Sequence, residues 1–204
     1  MDPQTQPPAD IMERLEMAEQ LKLTGKHAEA LNILEELLVE DPENVAALEE
    51  VADNELSMER LDRAEAAAKE AIALDKESYT AQYILGFLES QNEKWTAALV
   101  HLKKANVLKP NNPEILRCLG WVLFHAGERA QGIVTLERAL NLESDNPLTL
   151  CDLGVTYLEL KNFSKARSLF QRSLDLDPGN DRARECVQAI DRLERTVEEM
   201  GMKK

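Results

Sequence analysis

Asp10, Asn44, Ser78, Asn112, Asn146 and Asn180 recur along the chain at intervals of 34 residues. Each carries a side-chain oxygen able to accept from the unpaired amides of a helix's first turn, so each predicts a helix start. Pro113 and Pro147 follow two of them at the first helical position, where a missing N–H costs nothing. Between the caps the apolar residues follow a helical period: Leu116, Leu119, Gly120 and Leu123 in one interval answer to Leu150, Leu153, Gly154 and Tyr157 in the next. Turn signals follow around Gly25, Asn92, Gly127 and Asn162, and beyond them lies a second stripe such as Ala166, Phe170, Ser173 and Leu174. Each interval therefore predicts a helical hairpin.

A hairpin of this kind cannot bury its own apolar face, so the units must stack and the last needs a cover. Residues 181 to about 199 offer one, with Ala183, Val187, Ile190, Leu193 and Val197 on one side of a predicted helix and Arg182, Arg184, Glu185, Asp191 and Glu194 on the wet side. Self-association through this helix, giving a homo-oligomer, is the competing expectation.

With units of 11–44, 45–78, 79–112, 113–146 and 147–180, the chain resembles the tetratricopeptide repeat family. The family's small residue early in the second helix falls at Ala30, Ala64, Ala98, Gly132 and Ala166, and that of the first helix at Ala18, Ala52, Gly86, Gly120 and Gly154. Its later small residue falls at Leu37, Ala71, Ala105, Ala139 and Ser173, and its closing proline is present as Pro42, Pro110 and Pro178. The resemblance implies an all-α, right-handed superhelical solenoid of five 34-residue hairpins, preceded by a disordered tail over residues 1–10 and followed by a capping helix and short tail over 181–204. Arg14, Gln82, Glu55 and Glu89 depart from the family's apolar or tyrosine preferences, which predicts looser packing in repeats two and three. Leu37, where alanine is usual, would push the first hairpin apart.

The resemblance also implies a binding surface. Residues one place after the core stripe line the concave groove of the superhelix, and here they include Leu15, Glu19 and Lys22, then Glu49 and Asp53, then Tyr83 and Phe87, then Arg117, Trp121 and Phe124, and last Cys151, Val155 and Leu158. The groove should change from acidic to aromatic and apolar. Large aromatics and arginine are what interface hot spots favour, so Tyr83, Phe87, Trp121 and Phe124 are the expected anchors. Trp95 and Phe163 share a register and are expected in the core. The subfamily that grips the carboxy-terminal acid of cytosolic chaperones uses a lysine and an asparagine where Leu15 and Glu19 stand, and a carboxylate at Glu19 repels such a ligand.

Charge narrows the partner class. The formal net charge is −14, and residues 11–78 hold 19 Asp and Glu against 7 Lys and Arg. Nucleic acid is a poor partner, since phosphate binding needs a basic face, whereas a partner with a basic segment suits the acidic half. Glu19, Glu49 and Asp53 are expected to be solvated and to steer it. No stretch approaches the ~20 apolar residues of a membrane span. Three cysteines without a framework spacing suit a reducing, cytoplasmic compartment.

No phosphate loop, nucleophile elbow, His-Glu-x-x-His or Cys-x-x-Cys is present, so neither enzymatic activity nor a cofactor is expected. Cys118 and His125 are separated by about 10 Å along one helix, too far to gather on one metal ion. The expectation is a non-enzymatic adaptor or scaffold that holds a peptide segment or helix of a partner protein. The alternatives are a chaperone for an apolar secretion or assembly substrate and a self-assembling structural module.

Overall fold

The computed structural model describes residues 9–199 and Gly201. Among them are eleven α-helices and no strand: α1 (Ala9–Leu23), α2 (His27–Glu40), α3 (Val45–Ser57), α4 (Leu61–Leu74), α5 (Tyr79–Gln91), α6 (Trp95–Leu108), α7 (Pro113–His125), α8 (Arg129–Leu142), α9 (Pro147–Glu159), α10 (Phe163–Leu176) and α11 (Asp181–Glu199). They form two compact units, Met1–Pro110 and Asn111–Lys204.

The recurring caps do what their chemistry predicts. Asn44, Ser78, Asn112 and Asn146 accept from the amides of Ala47, Ala81, Ile115 and Thr149, and Asn180 accepts from Ala183. Asp10 differs. The helix has already begun at Ala9, so Asp10 sits in its first turn and complements the dipole instead of capping. Of the tail expected over residues 1–10, Ala9 and Asp10 belong instead to α1, and residues 1–8 lie outside the described residues.

Within each hairpin the turn has a second period that composition hides. Gly25, Glu59, Glu93, Gly127 and Lys161 all have positive φ, between 55° and 99°. The residue after each returns its amide to the carbonyl five residues back, as from Arg60 to Glu55 at 2.9 Å and from Asn162 to Tyr157 at 2.9 Å. That bond satisfies a carbonyl orphaned at the helix end. Glycine adopts this conformation freely, whereas at Glu59, Glu93 and Lys161 it costs about 1–2 kcal/mol each.

In the amino-terminal unit α1 pairs with α2, α3 with α4 and α5 with α6, while α1, α3 and α5 also touch in succession. Leu37 is buried beside Ala18, Ala30, Leu34 and Ala47, so its bulk fills the first hairpin and does not part it. The departures from the family pattern come with partners. Glu55 is fully buried with its carboxylate 3.0 Å from Arg63 and 3.3 Å from Arg60, and the buried Gln82 carbonyl lies 2.8 Å from His101 Nδ1. Arg14 pairs with Glu40 at 3.0 Å and Glu89 with Lys94 at 3.1 Å. Polar pairing replaces apolar packing at these positions, where looseness was expected. Trp95 is half-buried, not core, because it opens α6 at the hairpin turn; Phe163, at the same point of α10, is also half-buried.

In the carboxy-terminal unit α7 pairs with α8 and α9 with α10, and α7 touches α9. The helices approach closely where side chains are small: a Cβ on Gly132 would stand 2.6 Å from the Phe124 amide nitrogen and 2.7 Å from the Gly120 carbonyl oxygen. α11 packs on α10 and α9, burying Ala183 and Ile190 in a cluster with Cys151, Ala166 and Phe170. Val187 is partly buried against it. Leu193, expected in this interface, is 49% exposed, because the helix has by then run past the face it covers. The Val197 side chain, expected on the same face, lies outside the described part of the structure.

Candidate functional site

The amino-terminal unit presents a carboxylate-rich surface between α1 and α3. Met12, Leu15 and Ala46 line a depression of about 220 Å³ ringed by Glu16, Glu19, Glu49 and Glu50. Glu19 is exposed, as expected for a steering group. Glu49 and Asp53 are not simply solvated. Glu49 is half-buried and accepts from the Ser78 hydroxyl; burial, reinforced by Asp75 and Glu50, raises its pKa against that hydrogen bond. Asp53 is held 2.9 Å from Lys22 Nζ, which also reaches Glu50 at 2.7 Å. Burial opposes the Lys22 charge, but these two carboxylates outweigh it and raise its pKa. The sequence pattern missed this pairing because Lys22 lies 31 residues from Asp53 and 28 from Glu50.

Of the two expected anchors in this unit, Tyr83 is only 9% exposed and Phe87 is half-buried, their ring centroids 6.4 Å apart. Phe87 retains surface, and Tyr83 is a packing residue with little left for a partner.

The carboxy-terminal unit separates its aromatics more sharply. Phe124 is 1% exposed and belongs to the core, since its backbone lies against Gly132 and Arg129 covers its ring at 5.5 Å. Phe124 is therefore a packing residue and not the anchor expected of it. Trp121, one turn earlier, is half-buried and keeps part of its surface. Its ring packs against His125 at 4.1 Å between centroids, and the Arg182 guanidinium lies over it at 4.8 Å. Arg182 in turn donates to Asp152 Oδ1 at 3.0 Å, while Arg117 donates to Asp152 Oδ2 at 3.0 Å. Asp152 is 7% exposed, so three helices, α7, α9 and α11, are tied through one buried carboxylate. The helical pattern puts Arg182 on the wet face of its helix and gives no sign of Asp152; their link spans 30 residues and follows from how α11 lands on α9. Val155 and Leu158 are half-buried, like Phe87. Both are partly buried against the Cys151, Phe170 and Ile190 cluster that α11 completes.

The thiols sit in apolar surroundings: Cys118 and Cys151 are buried, Cys186 is half-buried, and no disulfide joins them. Burial, the main cause, pushes the Cys151 pKa up to about 11. Among the described residues no three His, Cys, Asp or Glu gather as a metal site, and no helix is long and apolar enough to cross a membrane.

Comparison with known proteins adds the family. Tetratricopeptide repeat models match residues 51–113, from within α3 to the start of α7, and 147–180, the α9–α10 hairpin. The chain is a tetratricopeptide repeat protein. The thermophilic tetratricopeptide repeat protein TTC0263 of Thermus thermophilus superimposes with a TM-score of 0.67 at 23% identity, covering 88% of this chain and 97% of that one. At that identity the likeness speaks for the fold alone.

Two curated relatives resemble this tetratricopeptide repeat protein over part of their length. The transcriptional regulator HilA of Salmonella typhimurium is 25% identical over 155 residues, 66% of this chain and 28% of the regulator. The human protein O-mannosyl-transferase TMTC1 is 24% identical over 187 residues, 88% of this chain and 21% of the transferase. The chain thus spans less than a third of either relative, and what these two proteins do as wholes is not carried over to it.

Proposed function

We propose that this chain is a non-enzymatic, cytoplasmic adaptor that holds a peptide segment or helix of a partner protein on the faces made by the first helices of its hairpins. The observation that carries the reading is Trp121. A large aromatic that is half-buried and keeps part of its surface, yet is held by His125, Arg182 and the buried Asp152, has little rotamer freedom to lose on binding, and such residues dominate interface energies. Phe87 offers a comparable surface in the other unit. Electrostatics adds direction: the carboxylates around Met12 and Leu15 favour a partner whose basic residues meet the amino-terminal unit. Cysteines that form no disulfide accord with a reducing compartment.

The test is to capture a partner on the immobilised full chain, map its bound segment, and measure binding isotherms and denaturation midpoints for W121A on the same samples. Binding should weaken by about 2 kcal/mol or more, while stability falls by well under the about 3–5 kcal/mol of a fully buried tryptophan. Unchanged affinity in a folded W121A protein would remove the site.

A further inference from the structure

The carboxy-terminal unit contains a second cavity, formed by α8, α9 and α10, that shares no residue with the Trp121 cluster. Its volume is about 320 Å³, enough for an aliphatic side chain. Leu140, Leu153 and Leu169 line it, the last two from the buried core, so the cavity has an apolar floor anchored in the unit's own packing.

The mouth has a definite charge balance. Glu137, at the rim, accepts from the Tyr157 hydroxyl at 2.9 Å and pairs with Lys165 Nζ at 3.2 Å through the same oxygen. That carboxylate is therefore already neutralised. Arg172 at the same rim donates to the Ser144 carbonyl at 3.5 Å, a neutral and distant acceptor. Counting Glu137 with Lys165, one positive charge remains over the leucine floor, carried by Arg172. A basic group entering here meets that remaining positive charge, whereas a carboxylate meets a guanidinium suited to it.

We infer that this cavity is a docking site for a partner peptide in which a leucine-type side chain neighbours an aspartate or glutamate, the aliphatic group resting on Leu140, Leu153 and Leu169 and the carboxylate meeting Arg172. Charge selects the occupant: the same aliphatic group next to lysine is repelled. The proposal stands apart from the Trp121 reading and does not need it.

The experiment uses the full chain with carbon-13-labelled leucine methyl groups, titrated with acetyl-leucyl-glutamyl-amide and followed by methyl NMR. Acetyl-leucyl-lysyl-amide and acetyl-alanyl-glutamyl-amide serve as controls. Saturable shifts at Leu140, Leu153 and Leu169 with the first peptide, absent or far weaker with either control, are expected. The R172Q variant, altered at an exposed position, should retain the native spectrum and bind about fivefold more weakly, the size of an exposed charge pair. Absence of saturable shifts, equal binding of the lysyl peptide, or wild-type affinity in R172Q overturns the proposal.

Discussion

The Arg182 guanidinium lies 4.8 Å from the centre of the Trp121 ring, so a side chain from the first turn of α11 reaches the middle of α7. The contact is fixed from below, since Asp152 holds Arg182 and Arg117 through separate oxygens. The two guanidiniums are unequal. Arg182 is half in solvent, while Arg117 is only 16% exposed.

Removing the carboxylate should therefore cost far more than removing the exposed arginine. D152A, which removes the buried carboxylate that holds arginines of α7 and α11 through separate oxygens, is expected to lower stability by about 3 kcal/mol or more. R182A is expected to cost about 1 kcal/mol or less, as exposed ion pairs do, while altering Trp121 fluorescence. Urea denaturation of the two variants side by side checks the order, and equal losses would contradict the bridging role of Asp152.

The uneven burial of α11 makes a second contrast. Ile190 is fully buried in the cluster with Phe170 and Cys151, whereas Leu193 is half-exposed. I190A is expected to destabilise the protein by about 2–5 kcal/mol, and L193A to change stability by less than about 0.5 kcal/mol. Thermal unfolding of both variants measures the difference. A comparable loss for L193A would mean that α11 packs through a different face.

Glu49 should make stability depend on pH in a particular direction. Its pKa is raised in the folded protein, chiefly by burial, from an ordinary value of 4.5. Between that value and the raised one the folded state holds a proton the unfolded state has released, so stability from this group is present at low pH and lost as pH rises. E49Q, which can still accept from Ser78, is therefore expected to be more stable than the parent at neutral pH. The gain should vanish as pH falls below 4.5. Denaturation midpoints across the acid-to-neutral range decide the matter, and a gain that grows on acidification would refute the burial argument.

Gly132 tests how tightly α7 and α8 are closed. A methyl group there meets the Phe124 nitrogen and Gly120 oxygen within 2.7 Å, and backbone yields less readily than a side chain. G132A is expected to destabilise by about 1–3 kcal/mol despite alanine's better helix propensity. Chemical denaturation should show the loss; a gain in stability would mean that the two helices separate at little cost.

The local parts of the fold could be read along the chain. Asn44, Ser78, Asn112, Asn146 and Asn180 cap helices because a side-chain oxygen reaches amides only three residues away, and the apolar stripes follow from helix geometry. The five left-handed turn positions were half visible, since Gly25 and Gly127 advertise them while Glu59, Glu93 and Lys161 do not.

The sequence by itself thus determined an all-helical chain of capped hairpins and nominated the residues beside the core stripe. Only tertiary structure decided which of those residues meet solvent. Trp121 and Phe124 are one helical turn apart and chemically alike, yet the first keeps part of its surface and the second is enclosed, because Phe124 falls where α8 closes against α7 at Gly132. The partners of Lys22, Gln82 and Asp152 were likewise beyond a linear reading. Helical period and capping act over three or four residues, whereas exposure and ion pairing depend on where a helix some twenty to thirty residues away comes to rest.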